Sequence, residues 1–199
     1  MALVSNPTAL EVNMDQQLAA AQQTLATLPK HLPVLREVAK AMVQSLREGH
    51  AVLTCGNGGS CAEAQHLVTE LIGRYDRDRR GLPAVYLGGD VGLMTSVAND
   101  FSWEETFTRP LEVFGKPGDI LVCFTTSGNS PNVLAALKRA SSMGLQTLAF
   151  LGKSGGACRG LATWEVVIDC QSTARVQEAH LFLIHWLCDQ IDEAFCVKG

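Results

Sequence analysis

A chain of 199 residues, 47% hydrophobic and 18% charged, is long enough to bury one α/β core and too short for two full domains. Its formal net charge of -4 gives no broad pull on nucleic acid or an anionic membrane, so a phosphate must be gripped locally and the expected partner is a small molecule. Met1 to Gln17 lacks a basic region followed by an apolar stretch, and no apolar run approaches the ~20 residues of a membrane span, so the expected location is the cytoplasm.

In chain order, apolar residues recur at helical spacing from Asp15 to Leu28 and from Leu32 to Leu46, with Pro29 and Pro33 marking a break between two helices. Leu18, Leu25 and Leu28 on the first, and Leu35, Val38, Met42 and Leu46 on the second, form apolar stripes. They fit either packing between subunits or a cap over a sheet in the same chain. After Gly49 short β-rich runs alternate with helical segments: Ala51–Cys55, Ala84–Leu87, Ile120–Thr125, Thr147–Leu151 and Val166–Asp169. Helices are predicted to begin near Ser60, Val91, Trp103 and Pro131, and the last to run from about Arg175 to Phe195. The alternation predicts a mainly parallel sheet covered by helices on both faces, with ligands beyond the carboxyl ends of the strands. The reading is one domain over 1–199, with a helical extension from about 10 to 48 and an α/β core from about 49 to 196. The seven cysteines are odd in number and show no close metal-type spacing, so they read as reduced thiols; Cys55 and Cys123 fall inside strands as small hydrophobes.

Two strand-to-helix loops echo one another. Val52–Cys55 leads into Gly56-Asn57-Gly58-Gly59-Ser60 as Leu121–Phe124 leads into Thr125-Thr126-Ser127-Gly128-Asn129-Ser130. The second loop sets hydroxyls and amides before a helix with Pro131 in its first turn. That is either an anion cradle or a side-chain-capped helix start without a ligand. The first loop lacks the spacing of a dinucleotide or nucleoside-triphosphate site; Gly58 and Gly59 permit close approach of backbone to a ligand, and Asn57 and Ser60 can hydrogen-bond sugar hydroxyls. On the helix that follows, His66 and Glu70 share one face, either as a surface hydrogen bond or as a pair that holds a metal or substrate. The last helix carries Gln177, Glu178, His180 and His185 among apolar residues. Asn99, Asp100 and Arg74 are further polar candidates, although Arg74 opens a mixed-charge stretch to Arg80 that also reads as solvated surface.

At Asn57-Gly58-Gly59-Ser60, His66-Leu67-Val68-Thr69-Glu70, Asn99-Asp100, Thr126-Ser127-Gly128-Asn129-Ser130 and Arg175-Val176-Gln177-Glu178-Ala179-His180, in this order and spacing, the chain resembles the SIS (sugar isomerase) family. Over nearly its whole length it is similar to that family's phosphoheptose isomerases. The resemblance implies a three-layer, flavodoxin-like sandwich around a five-stranded sheet. It implies catalysis by Glu70 and His185, phosphate binding by the Thr125–Ser130 loop, and sugar binding by Asn57, Gly58, Gly59, Ser60, Asn99 and Asp100. Arg74 and Gln177 join the expected substrate contacts. It further implies one zinc ion per subunit on His66, Glu70, Gln177 and His185, and a homotetramer. Thr125 stands where serine is usual, and Ala174 where some members carry aspartate.

The implied reaction interconverts sedoheptulose 7-phosphate and D-glycero-D-manno-heptose 7-phosphate, at the start of ADP-heptose supply for lipopolysaccharide. A base moves a proton between C1 and C2 while an acid serves the oxygens. Two other readings stand beside it: isomerisation of another phosphosugar, and a binding protein of the replication initiator, whose relatives lack the Glu and His that this chain has. On a straight helix the Cα atoms of Gln177 and His185 are about 12 Å apart along the axis, a long reach to one zinc ion bound at roughly 2 Å. That spacing predicts either side chains stretched toward one another or ligands from different chains.

Overall fold

The computed structural model describes residues 13–196, so residues 10–12 of the expected extension, and residues 1–12 of the Met1 to Gln17 segment, lie outside the described residues. The first helix, α1 (Met14–Leu25), starts where Asn13 Oδ1 accepts the amide hydrogens of Asp15 and Gln16. A 3-10 turn, Leu28–His31, follows, and α2 runs over Leu32–Arg47. Only Pro29 lies in the break. Pro33 sits in the first turn of α2, where the missing N–H has no partner to lose. Beyond it come β1 (Val52–Gly56), α3 (Gly59–Ile72), β2 (Ala84–Tyr86), α4 (Val91–Asp100), α5 (Glu105–Phe114), β3 (Ile120–Thr125), α6 (Pro131–Ser142), β4 (Gln146–Gly152), β5 (Trp164–Ile168) and α7 (Thr173–Phe195). The helix expected near Trp103 begins two residues later, because the Trp103 carbonyl accepts both the amide and the hydroxyl of Thr106 in the preceding turn.

The five strands pair in the order β2-β1-β3-β4-β5, every pair parallel. Successive side chains of a strand point to opposite faces. In β3, Ile120, Val122 and Phe124 enter one apolar cluster with α2, α3 and α7, while Leu121 and Cys123 enter a second with α5 and α6. Both faces are covered, which is why the inner strands read as continuous apolar runs. The result is the three-layer sandwich that the alternation implied. Cys55 and Cys123 are register partners on β1 and β3, both buried, and burial pushes the Cys123 thiol well above its ordinary range, so Cys123 is not poised as a nucleophile.

The apolar stripe of α2 finds its partner inside the chain. Leu35, Val38, Met42 and Leu46 are buried with α7 and β5, which decides for α2 in favour of the cap within the same chain. On α1, Leu18 stays 55% exposed. The strand order reverses direction between β1 and β3, and in such sheets the ligand crevice opens at that switch point, beyond the carboxyl ends. The two loops singled out above leave the sheet there.

Candidate active site

The loop after β3 is held so that its hydroxyls face one another. Thr125 Oγ1 lies 3.0 Å from Ser130 Oγ and 3.5 Å from Ser127 Oγ. Ser130 is the N-cap residue of α6, yet its side chain makes no capping bond, and Pro131 has no amide hydrogen to cap. The side-chain-capped reading of this loop therefore fails, and the hydroxyls remain turned toward a cavity of about 160 Å³. Gly128 has φ +66°, and a Cβ there would lie 1.9 Å from the Gly155 carbonyl oxygen, so the loop can rest on the Gly155–Cys158 turn only with glycine at this place. Asn129 Oδ1, accepting the Ala157 amide at 2.9 Å, completes that support.

The loop after β1 forms the opposite wall. Asn57 and Asn132 exchange side-chain amide hydrogen bonds of 2.8 and 3.1 Å, tying the two loops together across the switch point. The Asn57 amide is thus spent largely on joining the loops. Gly59 and Ser60 line the cavity with Thr125, Thr126, Ser127 and Ser130, and Thr173 and Gln177 close it from α7. The Gln177 amide occupies the space of the missing Gly59 side chain, since a Cβ there would come within 2.2 Å of its Nε2.

Helices α3 and α7 run side by side from this point, and facing residues repeat at each turn. Gly59 meets Gln177, Glu63 meets His180, and His66 meets His185. His66 Nε2 and His185 Nε2 share a hydrogen bond of 2.9 Å, and Glu70 Oε1 lies 3.4 Å from His66 Nε2. Burial, reinforced by His66 and opposed by Glu70, holds His185 below the usual imidazole value. His185 is therefore neutral near pH 7 and can both give and take a proton. Tyr75 stacks on its ring with centroids 5.4 Å apart and planes at 27°. Burial, then the neighbouring Cys188, Asp189, Asp76 and Glu70, raise the Tyr75 phenol, which stays protonated as a donor. His185 and Tyr75 open onto a second, larger depression with Trp186 and Asp189.

Below this cluster Arg79 and Asp192 form a buried ion pair with Nε to Oδ1 at 2.6 Å. Arg79 also donates to the carbonyl oxygens of Glu70 at 2.7 Å and Leu71 at 2.9 Å, while Asp192 Oδ2 accepts the amides of Asp76 and Arg77. The pair fastens the end of α3, the segment carrying Tyr75 and the end of α7 to one point. Arg79 therefore corrects the reading of 74–80 as plain solvated surface, and neither it nor Tyr75 nor Asp192 was singled out in the sequence. Arg74 itself is exposed and donates to the Asp76 carbonyl oxygen. Asn99 and Asp100 bond to one another at the exposed end of α4 and do not line the cavity.

The four expected zinc ligands thus fall into two places. His66, Glu70 and His185 converge, whereas Gln177 stands two turns away at the cradle. No group of three His, Cys, Asp or Glu among the described residues is spread about a common metal position. The histidine nitrogens are at hydrogen-bond distance, while two ligands of a tetrahedral zinc with bonds near 2.0–2.1 Å lie about 3.3 Å apart. Two imidazoles and a carboxylate are the right donors, and a shift of a few tenths of an ångström would separate the two imidazole nitrogens enough.

Residues 17–152 match the SIS domain. The chain is 44% identical over 180 residues to a phosphoheptose isomerase of Paramagnetospirillum magneticum, covering 90% of this chain and 94% of that one. Against the phosphoheptose isomerase of Campylobacter concisus it is 40% identical over 186 residues, with 94% and 98% covered. The solved structure of a phosphoheptose isomerase from Francisella tularensis superposes with a TM-score of 0.84 at 34% identity, covering 95% of this chain and 99% of that one.

Proposed function

Since this chain belongs to the SIS-domain family and stands among its phosphoheptose isomerases, we propose that it interconverts sedoheptulose 7-phosphate and D-glycero-D-manno-heptose 7-phosphate, the first step toward ADP-heptose and the lipopolysaccharide core. The observation that carries this reading is the meeting of Glu70, His66 and His185 on the helix seam that begins at the hydroxyl-lined cradle.

The phosphate sits among Thr125, Thr126, Ser127 and Ser130, with Gly58, Gly59, Ser60 and Gln177 along the sugar. Glu70 takes the proton from C1 or C2 and returns it to the neighbouring carbon through an enediol. His185, donating and accepting at the same nitrogen, carries the second proton between O1 and O2. Tyr75 keeps the imidazole in plane by stacking. His66, Glu70 and His185 would hold a zinc ion, which would supply a Lewis acid for the carbonyl oxygen, whereas Gln177, seated two turns away against Gly59, stays with the sugar at the cradle.

We assign the working enzyme to the cytoplasm as a homotetramer. No helix among the described residues is long and apolar enough to cross a membrane. From Ser60 to Glu70 the axis of α3 rises about 15 Å, and side chains tilted back toward the helix start recover only part of that. This length strains a seven-carbon chain, and Arg74, Asn99 and Asp100 do not line their own cradle. A site built between subunits, with the cradle of one facing Glu70 and His185 of another, relieves both difficulties. The test is incubation of purified protein with sedoheptulose 7-phosphate in deuterated water. Aldose formation with deuterium entering at the carbon next to the carbonyl is expected; full occupancy without product sinks the assignment.

A further inference from the structure

Between the cradle and the Glu70 cluster lies a pair that the proposed chemistry does not use. Glu63 on α3 and His180 on α7 face one another with Oε1 3.6 Å from Nδ1, and their side chains are 7% and 0% exposed. Both Glu63 carboxyl oxygens and His180 Nδ1 lack a hydrogen-bond partner. Buried polar atoms without partners are costly, and two such groups facing each other call for a common explanation.

His180 Nε2 lies 3.2 Å from the Leu151 carbonyl oxygen, which can only accept, so Nε2 carries a hydrogen. A bare Nδ1 would then turn its lone pair toward a carboxylate. One proton between Nδ1 and Oε1 removes the conflict, whether it resides on the imidazole or on the carboxyl.

The position of this pair gives it a task. Glu63 stands one turn after Ser60, and His180 one turn after Gln177, and these two earlier residues wall the cavity on either side. Phe124, on the cavity floor, has its ring centroid 6.2 Å from that of His180. Leu151 is the register partner of Thr125, the first residue of the hydroxyl loop. A proton shared across Glu63 and His180 would therefore link α3, α7 and β4 directly beneath the cavity.

We infer that Glu63 and His180 are a positioning pair for the cradle, sharing one proton that fixes the separation of α3 and α7 and hence the width of the cavity between Ser60 and Gln177. Neither side chain touches the sugar phosphate. The kinetic consequence rests on the isomerase reading, and the effect on anion binding does not.

The experiment takes the full-length protein with Glu63→Leu alone, which leaves no group to share a proton with His180, and with the double replacement Glu63→Leu and His180→Phe, which exchanges the pair for apolar groups and leaves no orphan. Three quantities are read: calorimetric affinity for inorganic phosphate, KM and kcat for sedoheptulose 7-phosphate, and the melting temperature. In both variants KM is expected to rise about tenfold and phosphate binding to weaken alike, as a sub-ångström misplacement produces, with kcat held within about threefold. If Glu63→Leu alone does not fold, the double replacement decides. A folded variant with wild-type KM and phosphate affinity, or one that loses kcat at constant KM, overturns the inference. So does a double replacement too unstable to bind, because the pair would then serve the fold and not the cradle. Wild-type protein that binds phosphate without turning over the sugar sinks the isomerase reading, and the phosphate comparison still judges the pair. Wild-type protein that binds no phosphate sinks the inference itself.

Discussion

Replacing Asp192 with asparagine keeps the shape of the side chain and removes its charge. Asp192 and Arg79 have side chains 0% and 1% exposed, so the guanidinium left behind has no water to turn to. Stripping one partner from a buried, hydrogen-bonded pair costs about 3–5 kcal/mol. At roughly 2–4 °C per kcal/mol for a chain of this size, Asp192→Asn is expected to melt about 6–20 °C below wild type at pH 7. The loss should depend on pH with a definite sign. Burial alone would raise the Asp192 pKa, but the amides of Asp76 and Arg77 and the Arg79 guanidinium outweigh it and hold the carboxyl below its ordinary value of 3.8. The unfolded chain then binds that proton more readily than the folded one. The stabilisation is complete above the unfolded value and drains as pH falls through the folded one. Circular dichroism melts at one protein concentration, from neutral to strongly acid pH, should show the gap between wild type and variant constant near neutrality and closing at the acid end. An asparagine variant that melts within about 2 °C of wild type at pH 7 refutes the reasoning, since even a 1 kcal/mol loss would shift the midpoint further.

Glu70→Gln should lower kcat about 10²- to 10⁴-fold, the usual value of a general base, with circular dichroism and phosphate affinity unchanged; full activity removes Glu70 from the mechanism. Ser127→Ala and Ser130→Ala should each raise KM for the sugar phosphate, at roughly 1.5–3 kcal/mol per lost bond to a charged group, with the α6 helix signal intact; a wild-type KM in both sinks the cradle. Tyr75→Ala should lower kcat several-fold where Tyr75→Phe, which keeps the stacked ring, retains most of it; equal losses would point to the hydroxyl instead. Light scattering at assay concentration should report a species near four times 21.4 kDa, and dilution to monomer should extinguish turnover, while a fully active monomer refutes the shared site.

The layered fold could be read from the chain because each inner strand is buried on both faces. Ile120–Phe124 is apolar without a break for that reason, and the ends of the strand at Ile120 and Thr125 were placed correctly. The N-terminal helices were harder. The stripe of α2 fitted a subunit interface as well as a cap over the sheet because its partner, α7, begins more than a hundred residues later, and helical periodicity reports that a face is apolar without saying what covers it. Pro33 misled for a related reason: proline stops a helix in its interior and is tolerated in its first turn, and the difference depends on where the turn begins.

The site divides along the same line between local and distant. His66 and Glu70 could be paired from their spacing, and the two loops from their resemblance to each other, since both signals lie within a few residues. The meeting of His66 with His185 was implied by the family resemblance alone, and those of Glu63 with His180 and of Arg79 with Asp192 by nothing in the sequence reading, because each spans more than a hundred residues. The first two have offsets of 119 and 117 residues, with Gly59 and Gln177 at 118 between them. A near-constant offset is what two parallel helices in fixed register produce, so these contacts are one packing decision and not three coincidences. That decision also separates Gln177 from the histidines, because a register that seats Gln177 against Gly59 carries His185 two turns along the same seam. A disturbance of the seam at Glu63 and His180 should therefore reach the cradle on one side before it reaches Glu70 and His185 on the other, and loss of binding should precede loss of chemistry.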